Sequence, residues 1–159
     1  MKLTLGTTAV VMVAMLGVAA VAHGAEEQTR ESYAAQVEPI CKANRETNER
    51  IMDGARKRIA EDELGRAGKQ FIRLSASVAV LADRLEKVPP PVADTRRISR
   101  WIHFIRLLKT RTRNVGKYYG EGLEIKGTHE SILAERSGVS ANNLMVVFPI
   151  RYCRFSRVG

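Results

Sequence analysis

Between residues 61 and 88 apolar side chains return at steps of three and four without a break: Leu64, Ala67, Phe71, Leu74, Val78, Leu81, Leu85 and Val88. That spacing puts all eight on one face of a helix, so a long amphipathic helix is expected there. Asp62 and Glu63 at its start and Lys87 at its end suit the helix dipole. A second stripe, Ile98, Trp101, Ile102, Ile105, Leu108, Thr112, Val115 and Tyr119, predicts another helix, with Asp94 as its cap and Thr95 as its first residue. Pro89-Pro90-Pro91 between them cannot continue a helix and makes a stiff connection.

The flanking segments are less regular. Residues 28–59 carry Tyr33, Val37, Ile40, Cys41, Asn44, Asn48, Ile51, Met52, Ala55 and Ile59 at helical steps, a stripe that turns polar at Asn44 and Asn48. Pro39 lies inside it, and because the stripe keeps its phase across the proline a kinked helix is expected. Gly116, Gly120, Gly122 and Gly127 predict a turn-rich connection. A last helix then runs over residues 129–147 behind Thr128 as cap, with Ile132, Leu133, Val139, Asn143, Val146 and Val147 on its face; Gly138 and Ser140 leave open whether it is one helix or two. Pro149 ends it, and residues 150–155 read as an extended strap. The expected fold is all-α: an antiparallel four-helix bundle with a kinked first helix and a short C-terminal strap.

The N-terminus changes the setting. Lys2 followed by an uninterrupted apolar run over residues 9–22, then small residues at Ala22 and Gly24, has the form of an export signal cleaved before Ala25. A membrane anchor is the other reading, since residues 3–22 are about long enough to span a bilayer. With the signal as residues 1–24, residues 25–159 form one domain of ordinary size, able to bury a core. In an exported chain the two cysteines, Cys41 and Cys153, are expected to pair, closing the bundle by joining its first helix to its strap.

Charge narrows the partners. There are 26 basic and 17 acidic residues, a formal net charge of +9, which draws the protein toward polyanions. From residue 96 to 117 the chain holds Arg96, Arg97, Arg100, Arg106, Lys109, Arg111, Arg113 and Lys117 with no acidic residue, and the tail adds Arg151, Arg154 and Arg157. Such a basic helix suits an anionic lipid surface or an anionic wall polymer, or is simply a solvated face. An export signal argues against nucleic acid as the partner. A monomer is expected.

Catalytic signals are weak. There is no Gly-x-Ser-x-Gly elbow, phosphate-binding glycine loop or His-Glu-x-x-His motif, and the acidic runs fall at helix starts, where the dipole accounts for them. After signal removal only His103 and His129 remain, without the spacing that builds metal centres in bundles, so neither a metal nor a cofactor is expected. A small-molecule carrier, for haem or a lipid, is the alternative. It would need a cavity beside His103 or Trp101, and for haem a methionine such as Met52 or Met145.

Tyr33 with Ile40-Cys41 and Asn44, Leu85 with Val88-Pro89-Pro90-Pro91, and the closing Tyr152-Cys153-Arg154-Phe155 form a pattern that resembles a group of secreted actinobacterial helical proteins of unknown function. The resemblance implies a small exported bundle with an N-terminal and a C-terminal cysteine, and it implies no activity, cofactor or catalytic residue. The reading that results is an exported, non-enzymatic helical protein that contacts an anionic envelope component.

Overall fold

A computed structural model describes residues 28–155; the expected signal and Arg157 lie outside them. The described chain consists of α1 (Arg30–Met52), α2 (Ala55–Ala60), α3 (Leu64–Leu85), a single 3-10 turn (Val92–Asp94), α4 (Thr95–Gly120) and α5 (Glu124–Leu144). The four long helices form the antiparallel bundle expected from the sequence. α3 packs along α4 and α4 along α5, α1 lies against α3, and α1 and α5 scarcely touch. That last pair leaves a seam down one side of the bundle.

Local chemistry explains where α1 starts and stops. Thr29 caps it, its hydroxyl accepting from the Ser32 amide while the Ser32 side chain accepts from the Thr29 amide. The helix continues through Pro39, which is exposed and cannot donate to the preceding turn, so the helix kinks there. The predicted single segment is broken at Gly54, whose φ of +68° is left-handed, and α2 is a separate short helix. Buried Gln70 of α3 takes up the exposed end of α1 by donating to the carbonyls of Ile51 (2.8 Å) and Asp53 (2.9 Å).

Gly116 lies inside α4, not in a loop, and the predicted turn shrinks to residues 121–123. Its role is close packing: a Cβ on Gly68 would stand 2.7 Å from the Gly116 carbonyl oxygen, and one on Gly116 would stand 2.8 Å from that of Gly68. The two backbones cross where neither helix carries a side chain. The core beside this crossing is filled by Phe71 and Tyr119, whose rings meet edge to face at 5.7 Å.

α5 is continuous, and it reverses the expected orientation. The buried side holds Gly127, Glu130, Ala134, Ser137, Gly138 and Ala141. Ile132 and Val139, expected in the core, are 48% and 47% exposed, and Ile125 is 87% exposed. Small residues win this face because Tyr119 of α4 lies directly on Gly127, where a Cβ would come within 2.4 Å of the ring.

The strap closes the seam. Cys41 and Cys153 form the disulfide, and Glu38 accepts from the backbone amides of Arg151 and Tyr152. Asn142 of α5 clamps the far end, accepting from the Phe155 amide (2.8 Å) and donating to its carbonyl (2.8 Å). Phe148 packs edge-on against the fully buried Tyr33 ring at 5.8 Å. No strand forms among the described residues, and the tail is a strap that turns at Tyr152 and Cys153 and bends at Arg151 and Arg154 in place of the extended course expected.

Two predictions follow from this packing. Gly68→Ala should lower stability by about 1–3 kcal/mol because backbone must move. Gly65→Ala, where nothing lies within 4 Å, should be neutral or raise it by up to about 1 kcal/mol. Equal denaturation midpoints for the two variants would contradict the crossing. Cys41→Ser should cost about 4–5 kcal/mol, from the loop of 112 residues that the bridge closes. A melting temperature indifferent to reductant would remove the disulfide as a source of stability.

Candidate functional site

The polar middle of the α1 stripe and the small-residue face of α5 have a joint consequence. Where Asn44 and Asn48 face Ala134 and Gly138 across the seam, the side chains are too short to meet, and a cavity of about 290 Å³ remains. Its floor is apolar, made by Phe71, Leu74, Val78 and Leu81 of α3 with Leu108 and Val115 of α4. The strap covers one end through Tyr152, Cys153 and Phe155, so the disulfide is part of the wall. Arg45, Glu49, Glu135 and Arg154 stand on the lining toward the polar side; Arg45 and Glu49 pair with each other at 3.2 Å.

The carrier alternative expected this cavity beside His103 or Trp101, and that placement is corrected. Trp101 is fully buried in the core and His103 is exposed on α4, its ring against Phe104; neither lines the cavity. Met52 does line it, but no histidine does, and Met145 is buried elsewhere in the core. Nothing in the sequence pattern announces the cavity directly. The two asparagines in an otherwise apolar stripe were its only visible sign.

The cations singled out on the basic helix have different surroundings. Arg106 is held by Asp83 of α3 (3.1 Å) and by Glu86 just past its end (2.6 Å), and the hydrogen bond from Arg106 pushes the Glu86 carboxyl below its ordinary range. Arg111 turns toward α5, where Glu130 takes it at 3.1 Å and Asn114 donates to the same carboxylate. Arg97 reaches the Leu144 carbonyl at the end of α5 and stands 3.4 Å from Asp94. Arg96, Arg100, Lys109, Arg113 and Lys117 make no ion pair among the described residues, and all but Lys109 are exposed. Arg151 and Arg154 are exposed on the strap, on a different element.

Asp94 holds the N-terminal position of α4 but does not cap it with its side chain. The carboxylate instead accepts from Arg30 of α1 twice, at 2.6 and 2.9 Å, and only 4% of the residue is exposed. It ties the starts of α1 and α4 together, and the Arg30 hydrogen bond holds its carboxyl below the usual carboxylate range.

Among the described residues no group of three histidine, cysteine or acidic side chains could hold a metal ion, and no helix is long and apolar enough to cross a membrane. An intramolecular disulfide of this kind belongs to a non-reducing environment. No protein-family model, curated protein or solved structure matches the chain.

The Asp94 clamp gives a pH prediction. A carboxylate whose native pKa is depressed stabilises the fold above its unfolded value, about 4, and loses that contribution as the pH falls through the lower native value. Asp94→Asn should therefore melt below the wild type at pH 7, with the gap closing below about pH 4. A gap of constant size from pH 7 to pH 2 would mean that the charge on Asp94 does not hold the helices.

Proposed function

We propose that this is an exported, non-enzymatic protein that binds and carries a small, largely apolar molecule between α1 and α5. The observation that carries the reading is the cavity of about 290 Å³ with an apolar floor and a covalently fastened cover. An apolar cavity of about 150 Å³ accepts benzene, so this one has room for a body of about two rings. Ligand sites in bundles are built in this way, from side chains on facing helices. With no histidine in the lining, haem is not the ligand that this cavity fits best.

A two-ring probe tests the reading. 2-Naphthol, followed by ligand-observed NMR, should bind saturably to the wild type and not to Ala134→Phe, in which the added ring fills the space above the α3 floor. Equal signals from both proteins, or none from either, would end the carrier reading.

A second reading, contact with an anionic lipid surface or wall polymer, is favoured by one observation. Lys117, free of ion pairs among the described residues, lies with Lys69 and Arg73 along the groove where α3 and α4 cross at Gly68 and Gly116. Anionic vesicles and anionic wall polymer should each be tried in a salt series against Arg113→Gln with Lys117→Gln. Co-sedimentation that fades with salt and is lost in the variant would support this reading and identify which polyanion is bound; absence of co-sedimentation with both would reduce the charge to solubility.

A further inference from the structure

α3 presents two faces. One carries Phe71, Leu74, Val78 and Leu81 and floors the cavity. The other is open to solvent, and from Leu64 to Ala82 the helix holds no acidic residue. At about 100° per residue, Lys69, Ile72, Arg73, Ala76 and Val80 fall within about 100° of its circumference and along about 16 Å of its length. All five are exposed, Ile72 by 42% and Val80 by 49%. Neither of these two large apolar residues belongs to the core, so α3 presents them without giving up its packing.

α4 extends this surface. A Cβ on Gly116 would stand 2.8 Å from Ile72 Cγ1, so its absence lets the Ile72 side chain lie across the crossing of the two helices. Lys117 lines the same groove as Lys69, Ile72 and Arg73, and Arg113, also exposed, precedes it by one turn. Lys69, Arg73, Arg113 and Lys117 make no ion pair among the described residues. The acidic side chains toward the ends of the surface are largely occupied: Glu63 takes Arg66 at 3.0 Å, Asp83 and Glu86 take Arg106, and Asp62 stands beside Glu63 at the margin of the groove. The face therefore sets uncompensated cations around exposed apolar side chains.

We infer that this α3–α4 face docks on an anionic lipid bilayer, with Lys69, Arg73, Arg113 and Lys117 against headgroup phosphates and Ile72 and Val80 entering the interface. The inference rests on the second reading above, contact with a polyanion, and commits it to a bilayer. A soluble wall polymer offers negative charge alone, whereas a bilayer offers negative headgroups over an apolar layer, the combination that this face complements. Among the described residues no helix is long and apolar enough to cross a membrane, so the contact is made at the surface.

The test measures binding of the intact protein to vesicles of equal parts phosphatidylglycerol and phosphatidylcholine, to vesicles of phosphatidylcholine alone, and to poly(glycerol phosphate), which carries phosphodiester charge without a bilayer. The mixed vesicles should be bound most tightly. Lys69→Gln with Arg73→Gln should weaken that binding about tenfold or more, and Arg96→Gln with Arg100→Gln, an equal loss of charge near the opposite end of α4, by less than about threefold. Val80→Ser should weaken it about threefold and Val80→Trp should strengthen it, with the melting temperature of each variant recorded to show that it is folded. An equal loss in the two charge variants would overturn the assignment to this face, because net charge alone would then account for binding. Polymer bound as tightly as the mixed vesicles, or vesicle binding indifferent to both Val80 variants, would overturn the bilayer and leave the second reading standing. Binding to neither the mixed vesicles nor the polymer would bring down the second reading and the inference together.

Discussion

The closure of the seam between α1 and α5 is the constraint on which the rest of this molecule depends. α3, α4 and α5 pack side by side and α1 adds to α3, which by itself is an open arrangement with its apolar interior accessible along one side. The bundle is completed by an irregular segment, and its attachments come from three kinds of bond: the Cys41–Cys153 bridge, the Glu38 carboxylate on two strap amides, and the paired amide of Asn142. Backbone polar groups of a non-regular strap would otherwise be left without partners against the core. Because α5 offers α1 small residues, the closure is made over a gap, and the gap is the candidate site.

Charge on the surface follows the same economy. Three of the eight cations counted along α4 serve as inter-helix ties, to α3, to α5 and to the end of α5. The helix is therefore less of a free basic face than its composition implies, and the residues left over are Arg96 and Arg100 in its first turns, Lys109 at its middle, and Arg113 and Lys117 toward its end. Glu130, the buried member of these ties, gives Arg111 a partner inside the bundle.

The sequence made α3 and α4 legible because large apolar residues on one face are the signal that periodicity detects. α5 was legible as a helix but not in its orientation. Its contacts are made by Gly127, Ala134, Gly138 and Ala141, which carry little hydrophobic weight, while Ile125, Ile132 and Val139 carry much and face outward. Gly116 was misleading for a related reason: a glycine that permits two backbones to approach looks in sequence like one that permits a turn. The disulfide could be anticipated from two cysteines behind a stretch that reads as an export signal. The cavity could not, since it depends on which residues of α1 and α5 face each other across a seam that only the tertiary arrangement creates.

The placement of the two cysteines also imposes an order of events during biogenesis. Cys153 follows every described helix, so its partner on α1 must wait as a thiol while all the intervening segments emerge. The helical hairpins α3–α4 and α4–α5 rely on contacts between neighbours in sequence and can form in that interval without it. The covalent step thus comes last and acts as a latch on a nearly finished bundle. Maturation of this protein is accordingly exposed to oxidant and thiol competitors at its final stage rather than at its nucleation.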